Sequence, residues 1–530
     1  MSDTEKVINT ICHNDCGGGC MLKVHVRDGV ITRIETDDSE GLQYRACPKG
    51  RAHRQWMYSP DRLKYPMRRV GERGEGKFAR ISWDEALDTI ASELKRISET
   101  YGSSAILLLS GGGDLVQLHH GKPMHRLLSL TGGYSATWGI ASFEGARFAS
   151  LTTYGTASAG NTRDDLLNSR MIIMWGLAVV STIHYNNTRY YMAQAREKGI
   201  RIVSIDPKYT NSTATFAHQW IPIRPGTDTA MLIAMAYVII KENLQDQSFL
   251  DTYTIGFDHF KDYVLGVGDG VPKAAAWAEA ITGVSAEVIA SLAREYATTK
   301  PAALMPGWSA GRTANGEQFH RAAMVLAAMT GNVGINGGNS GAGVYGQTYD
   351  HGLGRILMVG RNPLDQGAPR RKDALPGLGS AGLSTRVHNS KVWDAILEGK
   401  AGGYPADYRL LYVLNSNYLN QHPNINKGVK ALKTLEFITA QEQFITSTAR
   451  FADVLLPVSY FMERNDITTG GGMPFYGYVN KVVEPYYEAK SHLEIAAALA
   501  ERLGVSDFND KTEEELLKDL VAGSSDIPDY

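Results

Sequence analysis

Cysteine is almost absent from this chain of 530 residues, which contains four in all. None of them lies beyond residue 47: they are Cys12, Cys16, Cys20 and Cys47. Disulfide frameworks are typical of small secreted domains that cannot build a sufficient core, and a chain of this length has no such need. Cysteine usage this sparse and this concentrated predicts a single site that uses four thiolates.

An excess of charge of one sign is also missing, since 54 Lys and Arg stand against 56 Asp and Glu. Nucleic-acid modules need a basic face, so we expect no nucleic-acid partner. The longest apolar run, residues 230–240, is too short to cross a bilayer. The first residues contain neither an apolar export segment nor a twin-arginine pair. We therefore expect a cytoplasmic protein without direct membrane insertion.

The sequence contains no Walker A motif and no clean GxGxxG, which disfavours ordinary ATP or NAD as ligand. Glycine, by contrast, is abundant at 55 residues. That is about a tenth of the chain against a usual level of about 7%. This richness predicts many tight turns and close contacts between backbone and ligand.

The spacing of the four cysteines limits what they bind. Three residues separate each of the first three, and twenty-six more precede the fourth. A [4Fe–4S] cluster takes three ligands from a tight loop and one from further along, whereas structural zinc usually takes two close pairs. The spacing favours the cluster, with zinc and disulfides as the alternatives. Lys49 would place a cation beside an anionic cluster, or would be an ordinary solvated lysine.

Short apolar strands followed by glycine or polar loops and then by helices recur along the chain. One strand is predicted at residues 105–109 before a glycine loop at 110–114, another at 171–175, and another at 200–205. This alternation is typical of doubly wound α/β folds, which bind ligands at the carboxyl ends of their strands. We therefore expect an α/β protein with a small β-rich iron–sulfur domain at its amino end.

We also expect the following domain bounds. Residues 1–62 form the iron–sulfur domain, and two discontinuous doubly wound lobes follow, one of residues 63–144 and 336–458 and one of residues 145–335. Residues 459–530 form a return segment and carboxyl-terminal helices. The glycine- and proline-rich stretch 360–405 is expected to be a long surface loop.

Several loops at the predicted strand ends suit a large ligand that carries phosphates. Residues 224–228 precede a helix whose amino end can accept a phosphate, although Asp228 by itself is better explained as a helix N-cap. Residues 307–317 and 330–338 are polar and rich in glycine. Each loop alone is more often a simple turn, but together they predict a polyphosphate ligand shared by two lobes.

These segments together resemble the molybdopterin oxidoreductases of the dimethyl sulfoxide reductase type, from residue 11 to about residue 504. The resemblance rests on the order of several segments: the four-cysteine loop and residues 81–86, 175–176, 205–210, 222–228, 315–317, 330–334 and 448–457. It implies a [4Fe–4S] cluster on the four cysteines, with Lys49 between cluster and pterin. It also implies a molybdenum bis(molybdopterin guanine dinucleotide) cofactor, with tungsten as the alternative metal.

The resemblance further implies which residues bind the dinucleotide. Asp206 and Asp228 would bind its guanine or ribose groups. The other expected contacts are Trp175, Gly176, Pro207, Thr210, Arg224, Gly226, Gly307, Arg312, Asn315, Thr330, Gly331 and Asn332.

In this family the protein ligand of the metal is Cys, selenocysteine, Ser or Asp. All four cysteines are committed to the cluster, which excludes a thiolate ligand and so the formate dehydrogenase, periplasmic-type nitrate reductase and thiosulfate or polysulfide reductase types. The family position after a Gly-Gly-Tyr segment corresponds to Ser142, with Ser135 as the second choice and a simple turn-capping role as the ordinary alternative. A serine oxygen is a hard donor that suits a high-valent metal. Trp138 would face the substrate or belong to the core.

The function implied is the reduction of an S-oxide or N-oxide by oxygen-atom transfer, with electrons fed through the cluster. Hydroxyl transfer on phenols and a non-catalytic iron–sulfur electron carrier are the alternatives. The family also implies a ferredoxin-like iron–sulfur subunit and a membrane quinol-oxidising anchor as partners, and hence association with a membrane through them.

Two departures from the family pattern remain. Members continue into a carboxyl-terminal barrel that closes over the pterins, whereas this chain stops about where the barrel should begin. A truncated chain, a barrel on a separate polypeptide, and compromised cofactor binding are the three explanations. In addition, residues 415–423 match the family's Asn-Pro segment only loosely.

Overall fold

The computed structural model describes residues 5–14, 16–39, 41–111, 113, 115–156, 159–181, 188–343, 361–375, 378–468, 476–508 and 510–522. The chain divides into two compact units, the first of Met1–Gly139 with Asp350–Tyr530 and the second of Ile140–Tyr349. Parts of the predicted 110–114 loop, namely residues 112 and 114, lie outside the described residues. Within the described ranges, no helix has the length and apolar character needed to cross a membrane.

The strands follow the short apolar segments of the sequence. They are β1 (Lys6–Ile11), β2 (Met21–Arg27), β3 (Val30–Thr36), β4 (Met67–Arg69), β5 (Phe78–Arg80), β6 (Ile106–Ser110), β7 (Ser135–Trp138), β8 (Met171–Trp175), β9 (Arg201–Ile205), β10 (Gln219–Ile221), β11 (Ala302–Pro306), β12 (Val387–His388), β13 (Leu410–Leu414), β14 (Phe437–Glu442), β15 (Val454–Pro457), β16 (Asp466–Thr468) and β17 (Gly477–Val479).

The helices follow the amphipathic segments between them. They are α1 (Pro48–Arg51), α2 (His53–Met57), α3 (Trp83–Tyr101), α4 (Lys122–Leu130), α5 (Glu144–Tyr154), α6 (Thr188–Glu197), α7 (Asn211–Phe216), α8 (Asp228–Lys241), α9 (Gln247–Tyr253), α10 (Phe257–Leu265), α11 (Ala275–Thr282), α12 (Ala286–Thr298), α13 (Glu317–Met329), α14 (Val392–Glu398), α15 (Tyr418–Gln421), α16 (Ile425–Thr434), α17 (His492–Leu503) and α18 (Glu513–Ala522).

The small β-rich domain at the amino end is a three-stranded antiparallel sheet of β1, β2 and β3. Asp28 and Gly29 both have positive φ, as expected for an Asp-Gly turn between β2 and β3. This hairpin occupies the stretch between Cys20, just before β2, and Cys47, just before α1. The predicted β-rich amino-terminal unit is therefore confirmed.

The first unit also contains an eight-stranded sheet in the order β12-β7-β6-β13-β14-β15-β4-β5. Its strands from β12 to β15 are parallel, and β4 and β5 add an antiparallel edge. Side chains of β6 alternate between two cores: Leu108 lies with α3, α4 and α17, and Leu107 lies with α14 and α16. Burial on both faces explains why the strand is a continuous apolar run.

The second unit is built on a four-stranded parallel sheet in the order β10-β9-β8-β11. Helices α8, α11, α12 and α13 cover one face and α6 and α7 the other. The chain starts in β8, adds β9 and β10 on one side, and returns to add β11 on the other. The order therefore reverses between β8 and β11, and such switch points are where doubly wound folds bind ligands.

The expectation of a long surface loop over residues 360–405 is wrong from residue 387 onward. Strand β12 extends the sheet, and α14 buries Val392, Trp393 and Ile396 against it. The glycines and prolines of the stretch predicted a loop, but they lie between short elements that the sheet stabilises by tertiary packing.

A fully buried ion pair joins two distant segments of the first unit. Arg62 donates from Nη1 and Nη2 to the two carboxylate oxygens of Glu463, at 2.8 and 2.6 Å, and both side chains are fully shielded from solvent. Glu463 also accepts the backbone N–H groups of Tyr460 and Tyr486. The same carboxylate therefore fixes the segment between β15 and β16 to the segment that follows α2.

Glu463→Gln is expected to lower the free energy of unfolding by about 3–5 kcal/mol, because it leaves the Arg62 charge buried and unpaired. Urea unfolding followed by circular dichroism measures this loss. Glu85→Gln is the matched control, since Glu85 pairs with Arg68 at the exposed surface and should change stability by about 1 kcal/mol or less. Equal, small effects of the two substitutions would contradict the prediction.

Glu442, at the carboxyl end of β14, gives a second prediction. Burial raises the pKa of its carboxyl group to about 7 from an ordinary value of 4.5. The folded state therefore holds a proton that the unfolded state releases. Between these values the free energy of unfolding should fall as pH rises, by up to about 1.4 kcal/mol per pH unit. Glu442→Gln should flatten this dependence between pH 5 and 7 in unfolding titrations, and an unchanged slope would count against it.

Candidate functional site

The four cysteine side chains converge at the amino end of the first unit. Burial and the nearby Cys20, Cys16 and Cys47 together raise the pKa of the Cys12 thiol well above its ordinary value. A Cβ at Gly18 would lie 3.2 and 3.3 Å from the Cys20 and Cys16 sulfurs, so a side chain there would crowd both sulfurs. Four thiols brought together under a glycine loop fit a cluster bound through four cysteines.

Two further side chains contact this site and were missed in the sequence. His53 Nε2 lies 3.2 Å from Cys12 Sγ, and His53 Nδ1 lies 2.5 Å from the hydroxyl of Tyr460. Burial, with the charge of His13, lowers the pKa of His53 to about 3, so the ring is neutral. His53 lies close to Cys47 in the sequence, which could have indicated a contact with the cluster site. No local sequence pattern indicates such a contact for Tyr460.

Lys49 is exposed on α1, the short helix that begins directly after Cys47. It is thus close in sequence to the fourth cysteine. Its predicted role between cluster and pterin stays a prediction.

Several predicted dinucleotide contacts lie together at the carboxyl edge of the sheet in the second unit. Gly176 follows β8, Asp206 follows β9 and Gly307 follows β11, and their backbone N–H groups bond to the ends of neighbouring strands. A Cβ at Gly307 would lie 1.9 Å from the carbonyl oxygen of Gly176, so only glycine allows the loops at the switch point to approach this closely.

Two carboxylates lie at this edge. Asp228 accepts a hydrogen bond from Trp175 Nε1 at 2.9 Å, and both side chains are buried. Burial raises the pKa of Asp228, and burial with the charge of Asp228 raises that of Asp206. The expectation that Asp228 caps its helix is wrong, because Thr227 is the N-cap and Asp228 begins α8. Paired acceptors of this kind suit a ligand that presents several N–H donors.

The remaining predicted residues after β9 and β10 stabilise the turns and helix ends at this edge. Thr210 caps α7 by accepting the Thr213 N–H, and Pro207 is exposed in the loop before it. Gly226 has a φ of 78° in the turn before α8. Arg224 donates to the carbonyls of Ala280 and Ile281 at the end of α11, which ties its guanidinium to that helix.

Ser142 lies in an exposed turn just before α5. Its carbonyl accepts a hydrogen bond from Arg312 Nε at 2.7 Å, and its neighbour Phe143 stacks on Trp308 at 4.9 Å. Trp308 and Arg312 both follow β11, so the turn is tied to the loop at the switch point. The second choice, Ser135, is buried in β7 and donates its hydroxyl to the Ser104 carbonyl.

Asn315 follows Arg312 by three residues. It adopts a left-handed conformation with φ of 58° before α13.

On α13, His320 is fully buried, and among the described residues neither of its ring nitrogens has a hydrogen-bond partner. Its ring limits the space at Gly311 and Gly343. In the sequence, His320 is distinguished only as a histidine on an apolar helix face.

Three predicted contacts lie elsewhere. Thr330 is buried and donates to carbonyls of α13, and Asn332 accepts the N–H of Ala302 at 2.9 Å. Ala302 begins β11, so Thr330, Gly331 and Asn332 lie at the amino ends of the strands and are not brought together with Gly176 and Gly307. The glycine-rich pattern predicts a ligand loop, whereas its polar atoms satisfy buried backbone groups.

In the first unit, Trp138 ends β7 and lies between Arg371 and His388. The Arg371 guanidinium is 3.9 Å from the centroid of the Trp138 ring, and the His388 ring centroid is 4.4 Å from it.

The carboxyl edge of this unit also contains polar groups that the sequence analysis does not predict. Gly111 approaches Ser416 so closely that a Cβ would lie 2.8 Å from its Oγ, and His492 contacts Gln441 and Asn415. Both sheets thus present polar loops at their carboxyl edges.

Comparison with known proteins agrees with this arrangement. Residues 5–59 match the molybdopterin oxidoreductase Fe4S4 domain, and residues 62–502 match the molybdopterin oxidoreductase family. The chain is 38% identical to dimethyl sulfoxide reductase DmsA of Escherichia coli (strain K12), covering 99% of this chain and 68% of that protein. It is 34% identical to the dimethyl sulfoxide/trimethylamine N-oxide reductase of Cereibacter sphaeroides, covering 93% and 63%.

Among solved structures, acetylene hydratase from Pelobacter acetylenicus superposes with a TM-score of 0.74 over 97% of this chain and 72% of that one. The sequence identity is 23%, so this likeness concerns the fold. It agrees with the predicted α/β class. Because the two family matches together span nearly the whole chain, this protein is an enzyme of the molybdopterin oxidoreductase family, with an amino-terminal Fe4S4 domain and a molybdopterin-binding α/β body.

Proposed function

We propose that this chain is a catalytic subunit that reduces an S-oxide or N-oxide by oxygen-atom transfer, with electrons fed through the [4Fe–4S] cluster. The observation that carries the proposal is the position of Ser142. Its turn is tied by Arg312 and by the Phe143–Trp308 stack to the loop that leaves β11 at the switch point. An exposed serine hydroxyl held beside a dinucleotide-binding edge is suited to ligate a cofactor metal.

The residues around the site fit the implied cofactor. In the second unit, Asp206 and Asp228 would accept N–H groups of a guanine, and the close backbone at Gly176 and Gly307 would hold the phosphates. Cys12, Cys16, Cys20 and Cys47 would ligate the cluster. With every cysteine so used, an oxygen ligand is the protein donor left for the metal, and Ser142 would provide it.

When bound, the molybdenum cofactor supplies the oxygen-atom exchange and the storage of two electrons. The chain supplies a hard oxygen ligand at Ser142, hydrogen-bond acceptors for the nucleotide, and thiolates for the electron-transfer cluster. The small-molecule substrate would be neutral and oxygenated, such as the S-oxides and N-oxides named for the relatives. We further propose a ferredoxin-like iron–sulfur subunit as electron donor, with a membrane quinol-oxidising anchor beyond it.

Metal analysis of protein purified without oxygen tests the proposal directly. Iron together with molybdenum or tungsten, and oxidation of reduced viologen by dimethyl sulfoxide or trimethylamine N-oxide, is the expected result. Iron without a heavier metal would instead indicate a non-catalytic electron carrier. A heavier metal with no activity toward either oxide, but activity toward phenols, would indicate hydroxyl transfer.

Ser142→Ala is expected to lower viologen oxidation by about 100-fold or more, because even indirect partners of metal ligands change activity 10–100-fold. Its iron content should match that of the unaltered protein. Ser248→Ala, at an exposed serine on α9 of the same unit, should keep full activity. Full activity in the Ser142→Ala variant would show that Ser142 is not the protein ligand of the metal.

Asp206→Ala is expected to reduce the molybdenum and the guanine released on acid hydrolysis, because it removes an acceptor for the nucleotide at the end of β9. Metal analysis and chromatography of the released nucleotide measure both. The matched control is Asp258→Ala, at an exposed carboxylate in the first turn of α10. Undiminished nucleotide in the Asp206 variant would show that this carboxylate does not hold it.

A further inference from the structure

A chain of two hydrogen bonds leads from the cluster loop into the body of the first unit. Cys12 Sγ lies 3.2 Å from His53 Nε2, and His53 Nδ1 lies 2.5 Å from the Tyr460 hydroxyl. Their exposed fractions are 4%, 4% and 8%, so water does not compete for these bonds. Tyr460 comes from the segment after β15, which is 407 residues from His53 in the sequence.

The chemistry of the three groups decides which atom donates. A thiolate bound to iron has no proton, so Cys12 Sγ can only accept. A neutral imidazole carries one N–H, and a proton on Nδ1 would leave Nε2 with a lone pair facing the sulfur. The Tyr460 O–H donates to Nδ1, which leaves the imidazole proton on Nε2 and directs it at the sulfur.

The surrounding contacts hold this geometry. The ring of Phe461 packs edge-on against His53 at 4.9 Å and against His13 at 4.4 Å. The backbone N–H of Tyr460 donates to Glu463, the carboxylate of the buried pair with Arg62. These contacts hold the Nε2–H group of His53 in position before the cluster is reduced. The protein therefore does not have to reorganise when the electron arrives.

We propose that His53, oriented by Tyr460, raises the reduction potential of the cluster by donating its Nε2–H to Cys12 Sγ. The inference rests on the cluster ligands assigned in the proposed function. Reduction adds one electron from an external donor and transfers no atom. The added negative charge spreads onto the thiolate sulfurs, so a fixed N–H donor stabilises the reduced form more than the oxidised one. His53 acts on the electron-transfer step through a ligand and is a positioning residue.

The test is a redox titration of the purified protein with dithionite, followed by the low-temperature EPR signal of the reduced cluster. His53→Leu removes the donor, and we expect the equilibrium to shift about tenfold toward the oxidised form, which is about 59 mV for one electron. His53→Gln retains an N–H donor and should recover part of the shift. Tyr460→Phe should move the potential in the same direction by less, because the ring remains but its tautomer is no longer fixed.

His25→Leu is the matched control, since His25 is also buried in the amino-terminal sheet but bonds to Glu35 rather than to a cysteine. Its potential should equal that of the unaltered protein. An unchanged potential in His53→Leu with an intact signal overturns the inference. If that variant assembles no cluster, an unchanged potential in Tyr460→Phe overturns it.

The EPR signal and the reduction potential together distinguish a failure of this inference from a failure of the cluster-ligand assignment on which it rests. An unaltered protein without a four-iron signal would refute the ligand assignment and the inference together. A normal signal with equal potentials in all variants would refute the role of His53 alone.

Discussion

The first unit depends on one buried charge pair. Arg62 and Glu463 lie on segments 401 residues apart in the sequence, and both side chains are excluded from water. A buried charge without its partner costs several kcal/mol, so neither segment can move away without exposing the other charge. Through the backbone N–H of Tyr460, the same carboxylate fixes the aromatic residues that pack on His53 and hence on the cluster loop. The position of His53 beside the cluster loop thus depends on the Arg62–Glu463 ion pair.

The two sheets build their carboxyl edges in the same way. In the parallel part of each sheet, the first strand along the chain lies inside and later strands are added on both sides of it, so the loops at the carboxyl ends separate at one point. Gly307 against Gly176, and Gly111 against Ser416, are approaches that a side chain would prevent. Each unit therefore has backbone groups and a few carboxylates or amides at its carboxyl edge.

Local sequence was a good guide wherever a residue's role depends on its neighbours in the chain. The apolar runs predicted as strands at residues 105–109 and 171–175 are local, as is the Asp28–Gly29 turn, and the structure has β6, β8 and a turn at these places. Local pattern failed where tertiary contacts decided. The loop around Asn332 has the composition of a ligand loop, yet it satisfies the first N–H of β11. The stretch that contains Trp393 resembles a surface loop, yet it packs on the sheet.

The sequence by itself determined the four thiolates, the α/β class and the order of segments on which the family assignment rests, because each is a matter of residue type and spacing. Only the tertiary structure decided that Tyr460 meets His53 beside Cys12, that Trp175 holds Asp228, and that the turn of Ser142 is tied to the loop after β11. These pairs are separated by 407, 53 and 170 residues. No periodicity or spacing encodes such contacts, since they arise when strands distant in the chain become neighbours in a sheet.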